Sequence, residues 1–195
     1  MEKQYSEINF KDLGVIELEE CLKIQEKLTS KQENFLLFAT HYPIFSVGIK
    51  EAKDFPFATP VERDGSICYF DEGILNIYFI FNTCSKAFFY KKLKKILDSF
   101  FTTINFKAQF KKNPLGYYIK DSKIASIDFT INNCRTNHGI SLHVNPNLSA
   151  FNQIRPCNIK NITATSLNNE GVKFSINEIK KILKPIIIST FKGNT

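Results

Sequence analysis

Apolar positions recur along the chain at two periods, and the switches between them outline the elements. Leu18, Cys21, Leu22 and Leu28 follow helical spacing, which predicts an amphipathic helix over roughly 17–31. Phe35 to Thr40 is a short apolar run of the strand kind. Ser66 to Phe70 and Ile74 to Phe81 are rich in β-branched and aromatic residues and flank Asp71-Glu72-Gly73, which predicts two paired strands. From Ser85 to Thr103 the residues Phe88, Phe89, Leu93, Ile96, Leu97 and Phe100 return to helical spacing, with lysines on the other side. Strands are predicted over 106–112, 116–120, 123–132 and 139–145, joined by turn residues such as Asp121-Ser122 and Asn132-Asn133. Ser175-Ile-Asn-Glu178 is a capping-box pattern ahead of a C-terminal helix, which Pro185 is predicted to interrupt or kink.

No internal repeat or biased linker divides these 195 residues. The pattern predicts one α+β domain spanning 1–195, a mixed or antiparallel sheet with helices packed against it. The 43% hydrophobic and 23% charged residues, with eight Gly and seven Pro, exclude collagen-like, low-complexity and largely disordered chains. No window holds the roughly 20 apolar residues of a membrane span, and the start MEKQYSEINF lacks the apolar core of a signal peptide. A cytoplasmic protein without a membrane association is therefore expected. Five scattered cysteines without a Cys-x-x-Cys pair fit reduced thiols better than a disulfide framework or a zinc ribbon.

The net charge of +7 is unevenly spread: between Lys91 and Lys112 seven lysines stand against Asp98 alone. Such a patch attracts nucleic acid, anionic lipid or an acidic protein, or is simply a solvated helix face. It lacks the Arg–aromatic interleaving and motifs of nucleic-acid binders, so no nucleic-acid partner is expected.

The three histidines make no metal site. His138 and His143 are five apart in a predicted strand and should face opposite sides, and His41 is placed in a distant loop. No nucleophile elbow, Walker loop or dinucleotide fingerprint is present, and neither metal nor cofactor is implied. Cys157 differs from the other cysteines because it sits in the polar stretch Asn152-Gln-Ile-Arg-Pro-Cys-Asn-Ile-Lys160, close to Arg155 and Lys160. A partly exposed thiol near cations can react as thiolate; a small hydrophobe packed in a loop also fits that context.

Four stretches in order change the picture: His41-Tyr-Pro-Ile-Phe-Ser-Val-Gly48, Arg63-Asp-Gly-Ser-Ile-Cys-Tyr69, Gly116-Tyr-Tyr-Ile-Lys-Asp-Ser-Lys-Ile-Ala-Ser126, and Asn137-His-Gly-Ile-Ser-Leu-His-Val-Asn-Pro-Asn-Leu-Ser-Ala-Phe151 running on to Arg155-Pro-Cys157. Over about residues 35–170 the chain resembles the octanoyltransferases of lipoate biosynthesis. The resemblance implies the fold of biotin and lipoate ligase catalytic domains. It also implies an acyltransferase that moves octanoate from octanoyl-acyl carrier protein, through a cysteine thioester, to a lysine of a lipoyl domain. The acceptors it implies are the lipoyl domains of 2-oxoacid dehydrogenases and the glycine cleavage H protein.

Carried over position by position, the nucleophile falls on Cys157 and the activating lysine on Lys123. The physical logic is that an ammonium beside a thiol favours the thiolate. The substrate-binding positions implied are Arg63, Asp64, Gly65, Ser66, Ile67, Cys68, Tyr69 and Phe70, then Ser126, Ile127 and Asp128, then Gly139, Ile140 and Ser141. Core packing is the other reading of Ile67, Tyr69, Ile127 and Ile140. His138 is a candidate for orienting the catalytic loop, or a hydrogen-bonded structural histidine.

Three features depart from the family pattern: Phe70 stands in place of a histidine, the Gly-Pro-Gly-Gln turn after it is missing, and Asp128 replaces a glycine. They keep two further readings open, a family member that binds acyl carrier protein or lipoyl domains without transfer, and transfer of a different acyl group.

Overall fold

A computed structural model of the chain describes residues 5, 7–61, 67–154 and 163–192. Strands β1 (Asn9–Ile16), β2 (Phe35–His41), β6 (Ile74–Ile80), β7 (Gln109–Lys112), β8 (Leu115–Ile119), β9 (Ser122–Asn132), β10 (Arg135–His143) and β11 (Thr163–Ala164) form one sheet. Its order is β1-β2-β6-β10-β9-β8-β7, with β11 beside the start of β9. The β1–β2 and β9–β11 pairs are parallel and the rest antiparallel, so the sheet is mixed. A smaller sheet joins β4 (Thr59–Val61), β3 (Ile44–Gly48) and β5 (Cys68–Phe70).

The two-residue period of the strands divides the side chains between the two faces of the large sheet. Leu75, Ile77 and Phe79 of β6, Ile140 and Leu142 of β10, and Ile127 and Phe129 of β9 face one side. There they pack against helices α2 (Lys86–Thr103) and α3 (Ile176–Lys192) through Phe89, Leu93, Ile96, Ile179, Leu183 and Phe191. The opposite face carries helix α1 (Leu18–Thr29), which packs through Cys21 and Leu28 on Leu37, Tyr78 and Ile80. The small sheet covers the rest of that face.

The predicted helices all form. Ser85 caps α2 by accepting from the Phe88 N–H at 3.2 Å. The capping box at α3 also forms: the Ser175 N–H donates to Glu178 at 2.8 Å, and the Glu178 N–H donates to the Ser175 hydroxyl at 3.3 Å. Pro185, however, does not interrupt α3, which runs unbroken from Ile176 to Lys192. Its ring is exposed, so the hydrogen bond it cannot make is lost on the solvent side while Leu183 and Ile187 hold the buried stripe.

Cys68–Phe70 and Ile74–Ile80 are strands but do not pair with each other: β5 pairs with β3 and β6 with β2 and β10. Asp71 explains the difference. Its carboxylate accepts from the Gly73 N–H at 2.9 Å and from the Asn147 N–H at 2.7 Å, which turns the chain out of the small sheet into the large one. Gly73 fits there because a Cβ at that position would lie 2.2 Å from the Asn145 carbonyl oxygen. The alternation signal did not reveal β1, β3 and β4, which are short or mixed in polarity.

Cys84 and Cys134 form a disulfide, against the expectation of reduced thiols throughout, while Cys21 and Cys68 are reduced. The pairing follows from topology. Cys84 lies just past β6 and Cys134 in the β9–β10 turn, and β6 and β10 are neighbours whose ends meet at the Asn82–Arg135 bridge. No helix among the described residues is long and apolar enough to cross a membrane.

Candidate active site

Between the large sheet, the small sheet and the start of α1 lies a cavity of about 110 Å³, several times the roughly 10–15 Å³ that one water needs. Its floor is the sheet face opposite α2 and α3, laid out in register. Asn76 of β6 pairs with Ser141 of β10, which pairs with Ser126 of β9. Tyr78, Gly139 and Asp128 make the next row. Its roof is apolar and comes from Val61, Ile67, Tyr69 and Phe70, with Leu18 and Leu22 of α1 at one end and Phe151 and Ile154 at the other.

Lys123 reaches the cavity by a break in the strand. In a regular strand Lys123 and Ser126 would face opposite sides. The β8–β9 register shifts between Tyr117 and Tyr118, so that Ala125 stands opposite Tyr117 and Lys123 opposite Tyr118. Ile124 is absorbed as the extra residue and joins Ala125 in the main core, which leaves Lys123 on the cavity side. The lysine is 8% exposed, and its Nζ lies 5.6 Å from the centroid of the Tyr118 ring. Its stem lies against Gly116, where a Cβ would be 3.1 Å from Lys123 Cε and 2.4 Å from the Ala125 carbonyl oxygen. A glycine is therefore needed there for the stem to pass.

His138 also leaves the strand pattern. Its φ of 63° is left-handed, and both His138 and His143 border the cavity rather than facing opposite sides. His143 Nδ1 lies 2.9 Å from the Thr165 carbonyl oxygen, an acceptor, so this nitrogen carries the proton. Burial, aided by the nearby Lys123 charge, pushes its pKa down to about 4 against the pull of that hydrogen bond, so the ring is neutral. His41 ends β2 rather than lying in a loop. Its Nδ1 faces the Ile16 carbonyl at 2.9 Å and its Nε2 the Tyr78 hydroxyl at 2.7 Å. The Tyr78 hydroxyl therefore donates to His41, which fixes one wall of the cavity. Burial, and then the Asp71 charge, raises the Tyr69 pKa to about 12, so this phenol stays protonated.

Of the positions singled out in the sequence, Lys123, Ile67, Cys68, Tyr69, Phe70, Ser126, Asp128, His138, Gly139, Ile140 and Ser141 border one cavity. Ile127 does not: it points into the core against α2 and α3, as strand alternation between Ser126 and Asp128 requires. Ile140 borders the cavity while its side chain belongs to that same core. Arg63, Asp64, Gly65, Ser66 and Cys157 lie outside the described residues. Sequence reasoning missed Asn76 and Tyr78, which read as interior positions of an apolar strand, and Leu18 and Leu22, which read as ordinary helix core. The polar residue Asn76 within an otherwise apolar run was the available signal. Ser141 donates to its carboxamide oxygen at 2.7 Å.

Among the described residues no three His, Cys, Asp or Glu side chains lie close enough to hold a metal ion. The lysine-rich helix α2 packs on the sheet face away from the cavity. Lys92 donates to the Thr190 carbonyl and Lys94 pairs with Asp98, so two of its lysines serve the fold.

Residues 16–187 match the family described as lipoyl protein ligase A/B catalytic domain. The chain belongs to that family. It is 31% identical to an octanoyltransferase of Buchnera aphidicola subsp. Acyrthosiphon pisum, covering 87% of this chain and 95% of the relative. It is also 31% identical to one from Persephonella marina, covering 90% and 94%. Among solved structures it superposes on a lipoate-protein ligase A bound with ATP with a TM-score of 0.76 at 13% identity, over 95% of this chain and 85% of the other. A biotin protein ligase from Aquifex aeolicus gives 0.57 at 16% identity, over 94% and 70%. These likenesses show that the fold is that of lipoate and biotin ligase catalytic domains.

Proposed function

We propose that this chain, an acyltransferase of protein lipoylation, carries octanoate as a thioester on Cys157 and works as one catalytic domain. The octanoyltransferase relatives that match nearly end to end support the reaction class. The observation that carries the site is Lys123, a buried cation brought by a strand bulge into a largely apolar cavity. The described ends on either side of 155–162, Ile154 and Thr163, both border this cavity. Cys157 is three residues along the chain from Ile154, a tether of at most about 10 Å.

In the first half-reaction the Cys157 thiolate attacks the thioester carbonyl of octanoyl-acyl carrier protein, and the carrier's thiolate leaves and takes a proton from the Lys123 ammonium. In the second, the neutral ε-amine of a lysine on a lipoyl domain attacks the Cys157 thioester. The amide forms, the Cys157 thiolate departs, and the amine's surplus proton passes to the base at the site. The Lys123 ammonium favours the Cys157 thiolate before the first half and after the second, its ε-nitrogen giving up a proton to the carrier in the first and taking the amine's proton in the second. Lipoyl domains are the acceptor class, and the donor is acyl carrier protein. The chain works without a metal, nucleic acid or membrane.

Incubation with octanoyl-acyl carrier protein adds one octanoyl mass to the intact protein, and Cys157→Ala abolishes the adduct. Absence of any adduct between about pH 6 and 9 overturns the reading.

A further inference from the structure

Across the cavity floor, Lys123 stands at the start of β9 and Asp128 in its middle, five residues on. Both face the cavity, while Ile124, Ala125, Ile127 and Phe129 face the core. On the neighbouring strand Gly139 pairs with Asp128, and His143, one residue past the last registered pair, lies near Lys123. Four residues of strand separate these two, or about 13 Å. The Lys123 stem takes up part of that length, because it runs from its own row beside Tyr118 toward Gly116, which is paired with Ser126. An acyl group attached beside the ammonium therefore has less than about 13 Å before it meets the Asp128 row.

An extended eight-carbon chain is about 9 Å long and a twelve-carbon chain about 14 Å. The first fits this span and the second does not. The far row is also chemically unsuited to an alkyl tail. Asp128 borders the cavity there in the row of Gly139 and Tyr78, with His138 beside it, and no residue of the next row along β9 borders it. Pressing methylenes against a carboxylate strips its water without returning a hydrogen bond.

We infer that Asp128 sets the upper length of the acyl group: the cavity accepts an eight-carbon chain, and the carboxylate turns away a twelve-carbon one. This rests on the proposal that the thioester forms at the Lys123 end.

The test compares octanoyl- and dodecanoyl-acyl carrier protein as donors, together with calorimetric binding of free octanoate and dodecanoate, in the wild type, Asp128→Ala and Asp128→Asn. The wild type prefers the shorter chain in both measurements. Asp128→Ala raises the dodecanoyl-to-octanoyl ratio roughly tenfold or more, because the added methylenes are now buried. Asp128→Asn, equal in size but uncharged, moves the ratio the same way by less, and decides the matter if the alanine variant does not fold. A ratio within about twofold of wild type in the folded variants overturns the inference. A wild type that forms no thioester with any donor overturns the proposed function instead, and the fatty-acid binding ratio still decides the role of Asp128.

Discussion

Lys123 and Ser126 are three residues apart on one strand, yet both face the cavity, because the β8–β9 register shift absorbs Ile124 between them. A buried lysine held by a bulge is a positioned group, and its position depends on the local packing of β8.

Lys123→Ala is expected to lower the rate of lipoyl-domain octanoylation by roughly 10²–10⁴. Lys123→Arg does not restore it, since guanidinium keeps its proton throughout the accessible pH range. Single-turnover transfer followed by intact mass checks both, and a lysine-free variant at wild-type rate would remove Lys123 from the mechanism.

Gly116→Ala tests the bulge. The new Cβ would stand 2.4 Å from the Ala125 carbonyl oxygen and 3.1 Å from Lys123 Cε. The strand pair must shift, at a cost of about 1–3 kcal/mol. Thermal unfolding shows a lowered Tm, and transfer falls along with it because the Lys123 stem is displaced. Wild-type stability and rate together would contradict the close approach.

The buried His143 makes stability depend on pH between about 4 and 6.5. His143 titrates near 6.5 when unfolded and at about 4 when folded. Between these values the unfolded chain binds the extra proton. Stability is therefore full above about 6.5 and declines as pH falls toward 4, by about 3 kcal/mol in all. His41 is shifted in the same direction by burial and adds to the slope. Denaturant midpoints between pH 7 and 4 measure this. His143→Leu lowers stability at pH 7 but flattens the slope, and an unchanged slope would count against a neutral buried His143.

The Cys84–Cys134 bridge closes a loop of 50 residues, and loop entropy assigns it about 4 kcal/mol. Non-reducing digestion recovers the two cysteine peptides joined, and reduction separates them. Cys84→Ser lowers stability under oxidising conditions toward that of the reduced wild type. If the joined peptides are never found, the two residues are a reduced pair.

Local signals determined much of this protein. Helical spacing placed α1 and α2, the Ser175–Glu178 box placed the start of α3, and alternation placed β8, β9 and β10, because each depends on residues a few positions apart. The family resemblance in the sequence also picked out half of the residues that border the cavity. Only the tertiary structure decided how distant segments meet. It sent β5 and β6 to different sheets through the Asp71 bonds, joined Cys84 to Cys134 across neighbouring strands, and carried α3 past Pro185 on its buried stripe. It turned Ile127 into the core, rotated His138 out of the alternation through a left-handed φ, and put Lys123 on the cavity side through one extra residue. It also set the lysines of α2, which dominated the charge pattern, on the face away from the cavity. These outcomes depend on strand register and sheet face, which are settled when remote strands pair, and a one-residue slip exchanges the two faces.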